Sequence, residues 1–300
     1  MQILLCALCT CLSFCVNADG DEQSLMFDQK LLMADEIRSS HREEFNNLVA
    51  ELVRNRKKLS DKQNVYLNYL LGYQQILAGN LGIAINLLND VINDNRFEEL
   101  KYRAIVTKIN AHTTSKNYTE GFIVLNSLLP KLKSLDNTRA YQEALMVISI
   151  FYSRLGQYEL SRQYAAQLLN SSPSAKFKCI GFYLDIESSY FLGLLGVKDV
   201  KDNWTETCDS INEPIASNTI RLVAARIYLD NQLPEKALEL LLMYLKSARD
   251  SGYYLLVDQF NTYIAQAYYE LGETNIAEQH AMQALDNVGS LHSSYAFVYA

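Results

Sequence analysis

The sequence predicts an all-α protein, a solenoid of antiparallel helix hairpins essentially free of strand. Three observations carry this. Small-residue positions recur at spacings of 37 and 40 residues along most of the chain. Glycine (12) and proline (4) are scarce in 300 residues, and a β-sandwich or barrel cannot be written with so few turn formers. Leu and Ala fall at i, i+3 and i+4, so each helix has one apolar face and no hairpin buries its surface alone. The apolar fraction of 49% supplies a core for such an array and excludes global disorder. A net charge of −7, from 27 basic and 34 acidic residues, lacks the basic excess that a phosphate backbone requires. Nucleic acid is therefore not expected as a partner.

Residues 1–18 read as a signal peptide. Ile3 to Val16 is an almost unbroken apolar run, shorter than the ~20 residues that span a bilayer. Val16 and Ala18 put small residues at the −3 and −1 cleavage positions before Asp19. No basic residue precedes the run, since the first is Lys30, and a buried first helix is the competing reading. Export, to the periplasm if the host is bacterial, is the expectation. Phe14 before Cys15 argues against lipidation. Cys6, Cys9, Cys11 and Cys15 would leave with the signal, so the mature chain keeps Cys179 and Cys208. An even pair in an exported protein is a disulfide candidate; two buried free thiols are the alternative.

Residues 19–64 are expected to form an N-terminal helical cap. Ser40-His41-Arg42-Glu43 and Ser60-Asp61-Lys62-Gln63 both read as capping boxes, giving a hairpin of Leu25–Arg38 and His41–Lys57. The basic run from Arg54 to Lys58 is read as complementing a helix C-terminus rather than as a binding patch.

Residues 65–300 hold about six repeats. Asn68–Ile92 turns at Gly79, and Arg103–Leu129 is a weaker copy. Tyr141–Pro173 turns at Leu155-Gly156, Arg221–Leu245 at Gln232–Pro234, and Phe260–Gly289 at Leu271-Gly272. The small residue early in each second helix gives the series Ala84, Gly121, Ser161, Ala237, Ala277, with intervals of 37, 40, 76 and 40. As 76 is twice 38, one degenerate unit belongs between Ser161 and Ala237. Phe177–Glu213 fills it, with Gly196 marking its turn. Small residues let paired helices approach, while Tyr152, Tyr228 and Tyr268 are expected to fill grooves between neighbouring hairpins. This is a tetratricopeptide-like α-solenoid pattern, a right-handed superhelix slightly lengthened from 34 residues; armadillo or HEAT repeats are the alternative. Leu291 to Ala300 reads as the apolar start of a further, truncated unit.

The degenerate unit is expected to pack worst. Its second arm carries Asp199, Lys201, Asp202 and Glu206, with few large apolar residues besides Trp204. Cys179 and Cys208 lie 17 and 12 residues from the turn at Gly196. On two straight helices that leaves a mismatch of roughly 7–8 Å at ~1.5 Å per residue, which tilt or a longer turn would have to close. A bond is expected.

Catalytic signatures are missing: no phosphate-binding glycine loop, no HExxH, no Gly-x-Ser-x-Gly elbow. His41, His112, His280 and His292 fall in different units without metal spacing. No catalytic, cofactor-binding or metal site is therefore expected, and the chain reads as a non-enzyme. Three glycosylation triplets begin at Asn117, Asn170 and Asn203, and carry little weight in a chain of unknown host. What a helical solenoid offers is a groove lined by first helices. The repeat alignment places Tyr66, Tyr69, Tyr73, Arg103, Asn110, Arg226, Gln266 and Tyr269 there, as candidates for holding a protein or peptide. Packing between units is the other reading of the tyrosines.

The segments LLMADEIRSSHREEFNNLVAELV, LSDKQNVYLNYLLGY and RLGQYELSRQYAAQLL narrow the reading. Over about Leu31 to Ala300 the chain resembles the exported N-terminal repeat region of bacterial membrane-bound diguanylate cyclases. In that family a signal peptide and degenerate repeats precede a transmembrane helix and a cytoplasmic GGDEF domain that makes cyclic di-GMP from GTP. The resemblance implies the sensory half of a larger signalling protein, tethered to the membrane through a following segment and able to form oligomers. This sequence holds no GGDEF or GGEEF motif and no span after the repeats, so no catalytic residue carries over. A stand-alone periplasmic scaffold or envelope-assembly protein is the alternative.

Overall fold

The computed structural model describes residues 7–94, 96–135 and 139–286, and no strand occurs among them. The chain divides into two compact units, residues 1–130 and 131–300. Each is built as a solenoid, from consecutive helix hairpins. The expected further unit at Leu291–Ala300 lies outside the described residues, as do residues 1–6 of the expected signal peptide.

In the first unit, α1 (Ala7–Ile37) pairs with α2 (Arg42–Arg54), α3 (Asp61–Leu77) with α4 (Leu81–Asn93), and α5 (Glu98–Thr114) with α6 (Tyr118–Leu128). Helix α1 runs continuously through the Ala18–Asp19 bond. Phe27 and Leu31 of α1, Phe45, Val49 and Leu52 of α2, Leu67 and Leu70 of α3 and Leu88 of α4 share one core. The capping box at Ser60 forms: its Oγ accepts from the Gln63 amide at 3.3 Å, and Gln63 Oε1 accepts from the Ser60 amide at 3.0 Å. Gln63 is then free to donate Nε2 to Asp28 at 2.9 Å, tying α3 to α1. The box expected at Ser40 does not form. His41 takes the N-cap position instead and makes no side-chain cap bond. At Gly72 a Cβ would sit 3.0 Å from Leu88, so glycine is what lets α3 and α4 approach.

In the second unit, α7 (Arg139–Arg154) pairs with α8 (Tyr158–Asn170) and α9 (Ala175–Phe191) follows. A short α10 (Glu206–Ser210) precedes the pairs α11 (Pro214–Asp230) with α12 (Pro234–Asp250), and α13 (Tyr254–Glu270) with α14 (Thr274–Asp286). Gly156 and Gly272 close two of the hairpins at φ of 72° and 82°, a conformation that costs glycine nothing. Across both units the aligned small residues Ala84, Gly121, Ser161, Ala237 and Ala277 are all buried. Ser161 joins two helices by side chain: Ser188 donates to its Oγ at 2.9 Å and Ser149 lies 3.1 Å away.

Two of the three repeat tyrosines find ring partners inside their own hairpin. Tyr152 stacks on Tyr164, with ring centroids 5.8 Å apart and planes 10° apart, and Tyr268 stacks on His280 at 5.9 Å. Each partner lies on the second helix of the same hairpin. Side chains lean toward the N-terminal end of their own helix, so across an antiparallel pair the two lean toward each other.

The degenerate unit departs furthest from expectation. Its turn is at Gly193 (φ 68°), not Gly196. The Leu194 amide reaches back to Ser189 O at 2.9 Å, closing α9 with a Schellman-type bond. Gly196 is extended, and its amide is held by Asp199 Oδ2 at 2.9 Å. No single second helix follows. The chain makes 3-10 turns at Val197–Asp199 and Asp202–Thr205 and then the five-residue α10. Straight-helix arithmetic therefore does not apply, and Cys179 and Cys208 meet with Cα atoms 5.0 Å apart and sulfurs at 2.20 Å.

Candidate functional site

The eight groove candidates separate into three environments. In the first unit Tyr66, Tyr69, Tyr73 and Arg103 converge on a largely buried cluster, in which Tyr66 and Tyr73 are half-buried. Tyr69 is fully buried and Arg103 is 4% exposed. They surround Asp35 of α1, itself 0% exposed. Arg103 Nη2 lies 2.8 Å from each Asp35 oxygen, and Tyr66 donates its hydroxyl to Oδ2 at 2.6 Å. Arg38 adds a second guanidinium, 3.3 Å from Asp35, bonded to the Tyr69 hydroxyl and lying over the Tyr73 ring at 4.6 Å. Burial, followed by the Asp35 charge, pushes the Tyr66 phenol well above its usual value, so it stays a donor. This cluster locks α1, α3 and α5 together; Tyr69 and Arg103 do not line an open surface. Asn110 is half-buried, two turns further along α5.

The second unit keeps its candidates accessible. Arg226 on α11 is half-buried, with its guanidinium carbon 4.9 Å from the Tyr190 ring, 5.2 Å from Phe191 and 5.6 Å from Tyr263. Phe191 stacks in turn on Tyr158 at 4.5 Å. Tyr190 donates its hydroxyl to Asp230 at 2.5 Å, and burial together with that bond pushes its pKa up to about 12. Gln266 is exposed and bonds Glu270 one turn on, and Tyr269 is 69% exposed. The result is a half-open patch of rings held around one cation, contributed by first helices α9, α11 and α13. Tyrosine and arginine held this way present contact area at little entropic cost.

Sequence reasoning missed Asp35, Arg38, Tyr158, Tyr190, Phe191, Tyr263 and Asp230. Asp35 and Arg38 are spaced i, i+3 on a helix, which in sequence reads as an ordinary surface pair. Among the described residues no group of three or more His, Cys, Asp or Glu side chains is disposed to hold a metal, and no helix is long and apolar enough to cross a membrane.

No protein-family model matches the sequence, and no curated protein sequence matches it. Among solved structures, the fold is similar to the crystal structure of Rap protein complexed with competence and sporulation factor. That likeness has a TM-score of 0.61 at 16% identity, and covers 92% of this chain and 85% of that chain. At this identity the likeness is one of fold: an all-α helical-repeat solenoid.

Proposed function

We propose that this protein is a non-catalytic, exported helical-repeat module that binds a protein or peptide, and that it is the sensory region of a diguanylate cyclase-type signalling protein. The binding part rests on one observation, the half-open patch of Tyr190, Phe191 and Tyr263 around Arg226 on the first helices of the second unit. A solved neighbour of this fold carries a bound factor, which supports the same use of the scaffold. Export rests on the apolar run from Ile3 to Val16 and the small residues before Asp19. In an oxidising compartment Cys179 and Cys208 are bonded, consistent with their Cα separation of 5.0 Å.

The reading frame beyond Ala300 tests the sensory assignment. An apolar stretch of about 20 residues followed by a GGDEF or GGEEF motif is the result expected; a stop codon leaves a stand-alone scaffold and contradicts the assignment. Terminal sequencing of protein from the cell envelope tests export separately. A mature start at or near Asp19 is expected, and an intact Met1 in the cytoplasmic fraction contradicts it.

A further inference from the structure

Every other hairpin of the second unit closes its first helix with a continuous second helix of 13 or 17 residues. After α9 that role falls to residues 192–213. The floor beneath this segment is apolar: Ile186 of α9 and Ala216, Ile220, Val223 and Ile227 of α11, all buried. The cover is less secure. Leu195, Val197, Val200, Trp204 and Ile211 pack on the floor but are only half-buried, and Leu194 is 55% exposed.

The polar anchors are unevenly placed. Asp209 accepts from Arg221 of α11 at 2.7 Å and from the Thr205 hydroxyl at 2.6 Å, while Arg221 lies 3.6 Å from the Tyr244 ring centroid. These hold the late part of the segment to α11, whose Arg221 packs in turn on α12. Toward α9, the Glu213–Lys176 ion pair at 3.2 Å is joined by the Cys179–Cys208 link. Between Leu195 and Thr205 the cover has two 3-10 turns, a poor substitute for a helix.

We propose that residues 192–213 form a strap closed over the groove between α9 and α11 by the Cys179–Cys208 bond, and that reduction of this bond releases the strap from α9. The inference rests on the oxidised state of the pair proposed above. An external dithiol supplies the two electrons. Its thiolate attacks one sulfur, the Cys179–Cys208 bond breaks, the two cysteines end as thiols, and the dithiol ends as a disulfide. Both cysteine side chains are buried, at 0% and 1% exposure, so attack needs a prior local opening of the strap. Reduction captures that open form, and reoxidation closes it again. The groove thereby stays exposed under reducing conditions, which makes the second unit sensitive to the redox state of its surroundings.

Trp204, the single tryptophan of the chain, sits in the strap and reports on it directly. The test uses the full chain. Alkylation of denatured, non-reduced protein, read by peptide mapping, comes first: label on both Cys179 and Cys208 overturns the oxidised pair itself, whereas label on neither keeps the premise. Dithiothreitol is then added until mass spectrometry shows complete reduction. A red shift of Trp204 emission is expected, with amide exchange accelerated at 195–211 and unchanged in α13 and α14. Diamide should reverse both changes. Cys208→Ser should show the open behaviour without reductant. Unchanged emission and exchange after complete reduction would overturn the strap, as would loss of protection throughout the second unit, because the bond would then be holding the whole unit together.

Discussion

Asp35 and Arg103 stand 68 residues apart in sequence, yet one guanidinium nitrogen of Arg103 lies 2.8 Å from both carboxylate oxygens of Asp35. Their side chains are 0% and 5% exposed. The pair joins the first helix of the chain to the first helix of the third hairpin, with Tyr66 and Tyr69 of the second hairpin bonded between them. Removing Asp35 would leave the Arg38 and Arg103 guanidiniums without their shared carboxylate. Asp35→Ala is expected to cost about 3–5 kcal/mol in urea unfolding, the range for breaking a buried ion pair from one side. The double variant Asp35→Leu/Arg103→Leu should lose less than the two single changes added together. Strict additivity would show that the two groups act independently.

Ala277→Phe tests the repeat register. Ala277 is 6% exposed at the start of α14, where the helix meets α13. Inserting a ring there should overpack the hairpin and cost about 1–3 kcal/mol. A neutral effect would mean that the aligned small-residue positions are not contact points between helices.

Cys208→Ser should lower the local opening free energy of the strap, read from amide exchange at 195–211, by up to ~3–4 kcal/mol, the chain-entropy value for a loop of about 30 residues. Reductant should take the same amount from the parent and nothing from the variant. Equal opening free energies of parent and variant without reductant would show that the link contributes no net constraint.

The phenols set an alkaline limit. Tyr190 is pushed up to about 12 by burial and by its bond to Asp230, and Tyr66 and Tyr183 are raised mainly by burial. A raised folded pKa means that the fold prefers the neutral phenol. The contribution is complete below the unfolded value near 10 and is lost as pH rises from there through about 12. Urea midpoints between pH 8 and 11.5 should therefore fall above pH 10, and Tyr190→Phe should fall less steeply. A parent midpoint flat to pH 11.5 would contradict the burial of these hydroxyls.

Much of the fold was legible because helix packing writes itself into spacing. A second helix can approach its partner only where a side chain is small, so Ala84, Ser161 and Ala237 recur and are buried. The degenerate hairpin was harder. Two glycines, Gly193 and Gly196, lie three residues apart, and only the backbone shows that the first takes positive φ. Charged residues in the second arm pointed to weak packing, but not to its break into 3-10 turns. The site was legible in part. Tyr66, Tyr69 and Tyr73 do share a face of α3, as their spacing implies. That face meets Asp35 and Arg38, whose reach across the chain leaves no periodic signal. Arg226 was found from the repeat alignment, whereas its aromatic surround comes from three helices and exists only in the folded unit.

A partner of this protein should dock on the first-helix face of the second unit. Site-specific photo-crosslinking in the cell tests it most directly, with benzoylphenylalanine at the exposed Tyr269 and Gln266 and, as a control, at exposed Met243 on α12. One discrete adduct is expected from positions 269 and 266, lost on Arg226→Ala and absent from position 243. Adducts of equal yield at all three positions, or none at 269 and 266, would contradict it.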